Sequence, residues 1–166
     1  MFTQPQEGTT RAEGDRMQTT TPYAVVSAAE QVREGSKREL VVLTRRLEHA
    51  ALVAPPPAVA ATLQDVRYLT ARTRAVYAAL AAAGAPGRLY ARGLQSWLAP
   101  DVEGVALDED DPLVDEWTVV LPGRSPVVFA ATDLGSTDCD EDDRCFGYAV
   151  STDPHVVASC GRLLGI

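Results

Sequence analysis

Glu116 and Trp117 form the sharpest local pattern in the chain, a carboxylate beside an indole at the start of an apolar run. Such an indole can form the floor of an apolar pocket, and the neighbouring carboxylate can orient a donor group of a ligand. Tyr90, Arg92 and Trp97 lie around the end of an earlier strand pattern and are candidates for the same pocket. We therefore predict a ligand site around Trp117. The alternatives are that Trp117 fills the core and that the other three cover a sheet edge.

The acidic run 138–143 has the composition of a calcium loop but lacks its geometry. The loop glycine of an EF-hand is missing, and Ala149 stands where the bidentate glutamate is needed. A run of like charges is usually a solvated loop, so we predict no metal here. With the acidic residues 108–111, the run offers a face for a basic partner protein, and its candidate contacts are Asp140, Asp142 and Asp143.

The remaining reactive side chains form no catalytic set that the sequence reveals. His49 and His155 are the two histidines, and neither has the neighbours of a triad or a metal centre. The odd number of cysteines, three, fits a reducing compartment, although Cys139 and Cys145 flank the acidic loop and could bridge it if oxidised. We predict no catalytic residue and no cofactor.

Charge and composition exclude several classes of protein. With 166 residues, of which 46% are hydrophobic, we expect one domain with a substantial core. A net charge of -8 argues against direct nucleic-acid binding, which needs clustered Lys and Arg. No apolar run approaches the roughly 20 residues that span a bilayer, and the N-terminus lacks the apolar core of a signal peptide. The expected location is the cytoplasm, without membrane contact.

The first 54 residues predict a tail and two helices. Residues 1–21 lack hydrophobic periodicity and are expected to be disordered, and a short helix is expected from Tyr23 to near Gly35. Ser36 and Glu39 have the spacing of a capping box, so a second helix should begin there and end before Pro55. Its apolar stripe is predicted to consist of Leu40, Leu43, Leu47 and Ala51, with Glu48 elsewhere on the helix.

The middle of the chain predicts a strand, helix and strand over 58–94. Asp65 is expected to cap the helix, which should end at Gly84. Residues 101–111 are expected to form a loop or a weak strand.

The C-terminal third predicts an antiparallel meander followed by a helix. Its three strands are expected at 116–121, 126–133 and 145–151, with Asp153 as the helix cap and Pro154 in the first turn. The predicted fold is a single-domain α/β (mixed α+β) protein, with a mixed, largely antiparallel sheet flanked by helices.

Three segments together resemble the DICT sensory domain family, which is named for diguanylate cyclases and two-component systems: Ser36–Glu48, Pro112–Val120 and Arg144–Pro154. The resemblance covers about 23–164 and implies a signal-input domain, usually fused to a cyclase, a kinase-type module or a helix-turn-helix regulator. We expect no room for an output domain here. The regulatory effect is then expected to pass through a separate signalling or DNA-binding regulatory protein, and a homodimer is left open.

The first functional hypothesis is therefore a non-catalytic sensory or regulatory domain that binds a small ligand or a partner. The alternative is an adaptor whose acidic loops recruit a basic regulator without a small ligand. An enzyme of unknown type is the third hypothesis.

Overall fold

The computed structural model describes residues 19–135 and 138–166. In this part of the chain, four helices flank one eight-stranded sheet, which confirms the predicted fold class. The helices are α1 (Pro22–Ala29), α2 (Lys37–Val53), α3 (Ala71–Ala82) and α4 (Pro154–Leu163). The strands are β1 (Arg33–Ser36), β2 (Val59–Asp65), β3 (Gly87–Arg92), β4 (Trp97–Ala99), β5 (Val102–Ala106), β6 (Glu116–Leu121), β7 (Val127–Asp133) and β8 (Cys145–Ser151).

The sheet is mixed and mostly antiparallel, in the order β1-β8-β7-β6-β2-β3-β5-β4. β2 pairs with β3 and β3 with β5 in parallel, while the other neighbours are antiparallel. The predicted strand-helix-strand unit is β2-α3-β3, and the predicted meander is β6-β7-β8. β2 therefore joins the meander to the parallel part of the sheet at its centre.

The two faces of the sheet carry separate cores because successive side chains of a strand point to opposite faces. α2 and α3 cover the face that contains Leu89, Phe129 and Phe146. α1 and α4 cover the face that contains Val120 and Val128. We call these the α2/α3 face and the α1/α4 face. Full burial of one such side chain contributes about 1.5–3 kcal/mol, so both layers are needed for a stable domain.

Two helices begin at the predicted caps. The Ser36 hydroxyl accepts a hydrogen bond from the Glu39 amide, and the Glu39 carboxylate accepts one from the Ser36 amide at 2.7 Å. The Asp153 carboxylate accepts hydrogen bonds from the first amides of α4, with Pro154 in the first turn. Both caps satisfy amides that have no partner inside the helix.

The start of α3 differs from the prediction. Asp65 caps a short 3₁₀ turn, Val66–Tyr68, and Thr70 caps α3 instead. A register irregularity separates Thr62 from Asp65 in the β2-β3 pairing, and Gln64 has φ 67° there. Because this irregularity redirects the chain at the end of β2, the cap of α3 lies five residues after the predicted cap.

The N-terminal helix and the sheet edges also differ from the prediction. α1 ends at Ala29, and residues 33–35, which were predicted to belong to it, lie in β1, which pairs with β8. β4 was not predicted, and β5 is a regular strand within the region expected to be a loop or a weak strand. These strands are short and lie at or next to an edge, where one polar side is exposed and no strong alternation develops.

Most of the predicted tail, residues 1–18, lies outside the described residues. Thr21, also assigned to that tail, caps α1 and is buried. Among the residues that the structure describes, no helix is long and apolar enough to cross a membrane.

Candidate functional site

A cavity of about 410 Å³ lies on the α2/α3 face, between α2, α3 and the strands β2 and β6. Its floor is apolar and comes mainly from the sheet, through Leu63, Trp117, Val119 and Phe146, with Tyr77 added from α3. Four of these five side chains are buried; Trp117 is partly exposed. The site therefore has an apolar interior.

Trp117 both packs against the core and lines this cavity. Its indole meets Phe129 and Phe146 edge-on, with ring centroids 5.6 Å and 5.7 Å away. Edge-to-face contacts of this kind fix the orientation of a ring. The indole is thus a rigid wall of the cavity that packs against the core, and its role in ligand binding stays a prediction.

A partly buried ion pair joins α2 to α3 at the cavity. Glu48 Oε2 lies 2.9 Å from Arg72 Nη1, and the Glu48 side chain is only 8% exposed. Tyr77 is buried close by, and burial, together with the charge of Glu48, raises the pKa of its hydroxyl above the usual range. The hydroxyl therefore stays protonated at neutral pH, and the carboxylate is compensated by a guanidinium.

The sequence prediction was wrong about Glu48, which it placed outside the buried stripe of α2. The buried stripe of α2 consists of Leu40, Thr44, Glu48 and Ala51, whereas Leu43 and Leu47 are only partly buried. Two polar residues in a helical stripe that starts from a buried leucine are themselves a signal of a polar site on that face. Arg72 carried no local signal, because its partner lies 24 residues earlier in the chain.

A cluster of five side chains forms the rim next to α2. Glu141 accepts hydrogen bonds from Lys37 Nζ at 2.8 Å, from the Tyr68 hydroxyl at 2.6 Å and from Arg144 Nη1 at 2.8 Å. Arg144 also pairs with Asp133. We call these five residues the rim cluster; two of them, Lys37 and Tyr68, also line the cavity.

The charges of the rim cluster are mutually adjusted. Hydrogen bonds from Lys37 and Tyr68 lower the pKa of Glu141 to about 2. Desolvation, followed by the hydrogen bond to Glu141, raises the pKa of Tyr68. Desolvation acts to lower the pKa of Arg144, but hydrogen bonds to Glu141 and Asp133 outweigh it and raise the pKa. Glu141 and Arg144 are therefore charged at neutral pH, whereas the Tyr68 hydroxyl is neutral.

The acidic run is therefore not uniform. Glu141, which was not selected from the sequence, is exposed too, but it accepts hydrogen bonds from Lys37 and Tyr68. The three predicted partner contacts are exposed: Asp140 stands before the 3₁₀ turn Glu141–Asp143, Asp142 lies within it, and Asp143 lies 3.8 Å from Arg38. No group of three or more His, Cys, Asp or Glu side chains among the described residues is arranged to hold a metal ion.

The structure does not bring the five predicted ligand residues together. Glu116 lies on the α1/α4 face, where its carboxylate accepts a hydrogen bond from the Tyr23 amide at 3.1 Å, and burial raises its pKa. Tyr90 lies on that face too, with its hydroxyl donating to the Leu164 carbonyl at 2.7 Å.

The remaining two candidates lie toward the other end of the sheet. Arg92 pairs with Asp65 at 3.6 Å. Trp97 is 67% exposed on the edge strand β4, beside a surface hollow of about 400 Å³ that it shares with Asp101 and Glu103. Trp117 is thus the member of the predicted set that lines the cavity on the α2/α3 face.

Comparisons with known proteins bear on the fold. Neither the protein-family models nor the curated proteins give a match. Among solved structures, polyphosphate kinase from Porphyromonas gingivalis superposes with a TM-score of 0.53 at 14% identity, over 88% of this chain and 27% of the kinase. This chain thus spans about a quarter of the kinase.

Two further structures are similar at a lower level. TrmBL2, an archaeal chromatin protein, gives a TM-score of 0.47 at 13% identity, covering 88% of this chain and 52% of its own. Nuc, a phospholipase D family member from Salmonella typhimurium, gives a TM-score of 0.46 at 10% identity, covering 78% of this chain and 88% of Nuc. At such low identities, the kinase match shows a shared fold and says nothing about a shared activity.

Proposed function

We propose that this chain is a cytoplasmic, non-catalytic sensory or regulatory domain of bacterial signalling or transcription control, similar to the DICT family, that binds a small ligand in the cavity beside Trp117. The observation that carries the proposal is the cavity itself, formed between two helices and the centre of the sheet. Its volume of about 410 Å³ falls within the range of small-molecule sites.

The lining supports selective binding. Small-molecule sites are typically apolar, with a few placed polar groups that fix the ligand's orientation. Here the floor is apolar, and polar groups of α2 and α3, including Thr44 and Thr73, stand above it. The Trp117 ring is held by Phe129 and Phe146, so one wall is formed before a ligand arrives.

The ionisable groups of the lining favour binding over proton transfer. Glu48 is held by Arg72, and Lys37 by Glu141. A general base or nucleophile has to reach a substrate atom directly. Because these side chains are paired with each other, they are better suited to act as fixed charges than as a general base or a nucleophile.

The rim cluster suggests how occupancy reaches a separate signalling or DNA-binding regulatory protein. Lys37 and Tyr68 line the cavity and both hold Glu141. Asp140, Asp142 and Asp143 lie in the same loop as Glu141 and are exposed. A ligand that draws Lys37 or Tyr68 inward therefore changes how these aspartates are presented to a basic surface.

A small-molecule screen by thermal shift tests the proposal with a matched pair of variants. Val41 lines the cavity, whereas its neighbour Val42 is 48% exposed and is not part of the lining. We expect Val41→Phe to fill the cavity and to lower the affinity for a stabilising ligand roughly tenfold or more. Val42→Phe should bind the same ligand about as tightly as the wild type. A ligand whose binding is equally unaffected by both substitutions would place its site elsewhere.

The second candidate function, an adaptor without a small ligand, is favoured by one observation, the exposure of the three aspartates. It predicts salt-sensitive association with a basic partner. Reversing the charges of Asp140, Asp142 and Asp143 together should abolish that association, and unchanged pulldown of the partner would count against it.

A further inference from the structure

We infer that the ligand of this cavity is an amphipathic anion, with an apolar ring or chain on the floor and a carboxylate or phosphate at the rim. This inference rests on the proposed function and specifies its ligand class. It follows from how charge and burial are distributed around the cavity.

The two ends of the cavity differ in burial and polarity. Leu63, Val119 and Phe146 are at most 8% exposed and offer no hydrogen-bonding side chain. Arg45 and Arg72, in contrast, are exposed side chains of the same lining. The apolar part of a ligand is therefore expected to enter first, with its polar group left at the opening.

The charged residues of the lining are three cations and one carboxylate: Lys37, Arg45, Arg72 and Glu48. Glu48 is already matched by Arg72 at 2.9 Å, so it presents no uncompensated negative charge. Among the described residues, Arg45 forms no ion pair, whereas Lys37 is already paired with Glu141 at 2.8 Å. An anion at the opening therefore gains chiefly from Arg45, because the charge of Lys37 is already matched by Glu141.

The surroundings make this positive region selective. The chain as a whole has a net charge of -8, which repels anions from most of its surface. A cationic ligand would be repelled by Arg45 and Lys37. It would also find the Tyr68 ring already covered, because Lys37 Nζ lies 4.4 Å from the ring centroid.

A panel of matched compounds tests the inference by chemical-shift titration. Each of four groups, benzyl, naphthyl, indolyl and octyl, is presented as carboxylate, phosphate ester, primary amide and methylamine. We expect the two anionic forms to bind about tenfold more tightly than the amide of the same group, and the amine to bind weakest. Their relative affinities show whether the opening prefers carboxylate or phosphate.

Two variants isolate the charge at the opening. Arg45→Gln removes a cation of the lining, and Arg46→Gln removes the same charge from the next position of α2, outside the lining. We expect Arg45→Gln to weaken the binding of the tightest anion about threefold, since each exposed charge contributes modestly. The affinity for the corresponding amide should not change. Arg46→Gln should alter neither.

The failures of the two proposals are distinguishable. If amides or amines bind as tightly as the anions, and Val41→Phe abolishes that binding, the cavity is a ligand site but the anionic class is wrong. Equal effects of Arg45→Gln and Arg46→Gln would also overturn the anionic class. If no member of the panel shifts a resonance of the cavity lining, both the class and the site are contradicted.

Discussion

Glu116 and Trp117 are adjacent in β6, yet they serve opposite faces of the sheet. Trp117 lines the cavity under α2 and α3, while Glu116 accepts a hydrogen bond from the Tyr23 amide in the first turn of α1. The two-residue period of a strand makes this separation unavoidable. We therefore propose a ligand-binding role for Trp117 alone, while Glu116 attaches α1 to the sheet.

The assignment of Glu116 predicts a loss of stability without a loss of binding. In Glu116→Ala, the Tyr23 amide loses its acceptor in a partly buried position, which should lower the free energy of unfolding by about 1–3 kcal/mol. Thermal unfolding measures this, with Glu109→Ala, an exposed glutamate, as the control. If Glu116→Ala weakens a cavity ligand as strongly as Val41→Phe does, the separation of faces is wrong.

The rim cluster predicts a specific acid dependence of stability. The folded-state pKa of Glu141, about 2, lies below its ordinary value of 4.5, so its contribution is present above pH 4.5 and disappears as the pH falls from 4.5 to about 2. The stability difference between wild type and Glu141→Gln should be about 1 kcal/mol at pH 6 and near zero at pH 2. Urea unfolding at several pH values measures it.

The control for this prediction lies in the same loop. Asp142→Asn removes an equal charge at a position that forms no ion pair in the described part of the chain. At pH 6, Asp142→Asn should lower the free energy of unfolding less than Glu141→Gln does. Parallel stability curves for wild type and Glu141→Gln over the whole pH range would contradict the role given to Glu141.

Gly104 predicts a strong steric effect next to the sheet edge. A Cβ atom at this position of β5 would collide with the carbonyl oxygen of Gln95, whose turn lies against the strand. Gly104→Ala should lower the free energy of unfolding by about 3 kcal/mol, because backbone has to move. At Gly87, also in a strand, a Cβ would meet its neighbours at 3.6 Å or more, so Gly87→Ala should cost clearly less in the same unfolding experiment.

The sequence predicted the fold well where signals are local. The bounds of β6 and β8 follow from apolar runs with clear flanking residues, and the starts of α2 and α4 follow from caps that involve only nearby positions. β1 and β4 were missed because their formation depends on a partner strand distant in the chain or on a tight turn at the sheet edge.

The candidate site was less accessible to prediction because its parts come from distant segments. Trp117 was found from its local pattern, but Glu48 and Arg72 become partners only when α2 packs beside α3. Glu141 looked like one charge among several in an acidic loop, and its contacts to Lys37 and Tyr68 span 104 and 73 residues. Local sequence patterns do not reveal contacts between residues that are so far apart in the chain.

The most direct test of the ligand site compares the indole N–H resonances of the two tryptophans in one nitrogen-edited NMR spectrum. Trp117 lines the cavity and Trp97 lies exposed at the far edge of the sheet, so one is the probe and the other an internal control, assigned with Trp97→Phe. As the anionic compounds are titrated in, we predict a saturable shift of the Trp117 resonance and a stationary Trp97 resonance. Binding that leaves Trp117 unmoved, or that moves both resonances alike, would contradict a ligand site in this cavity.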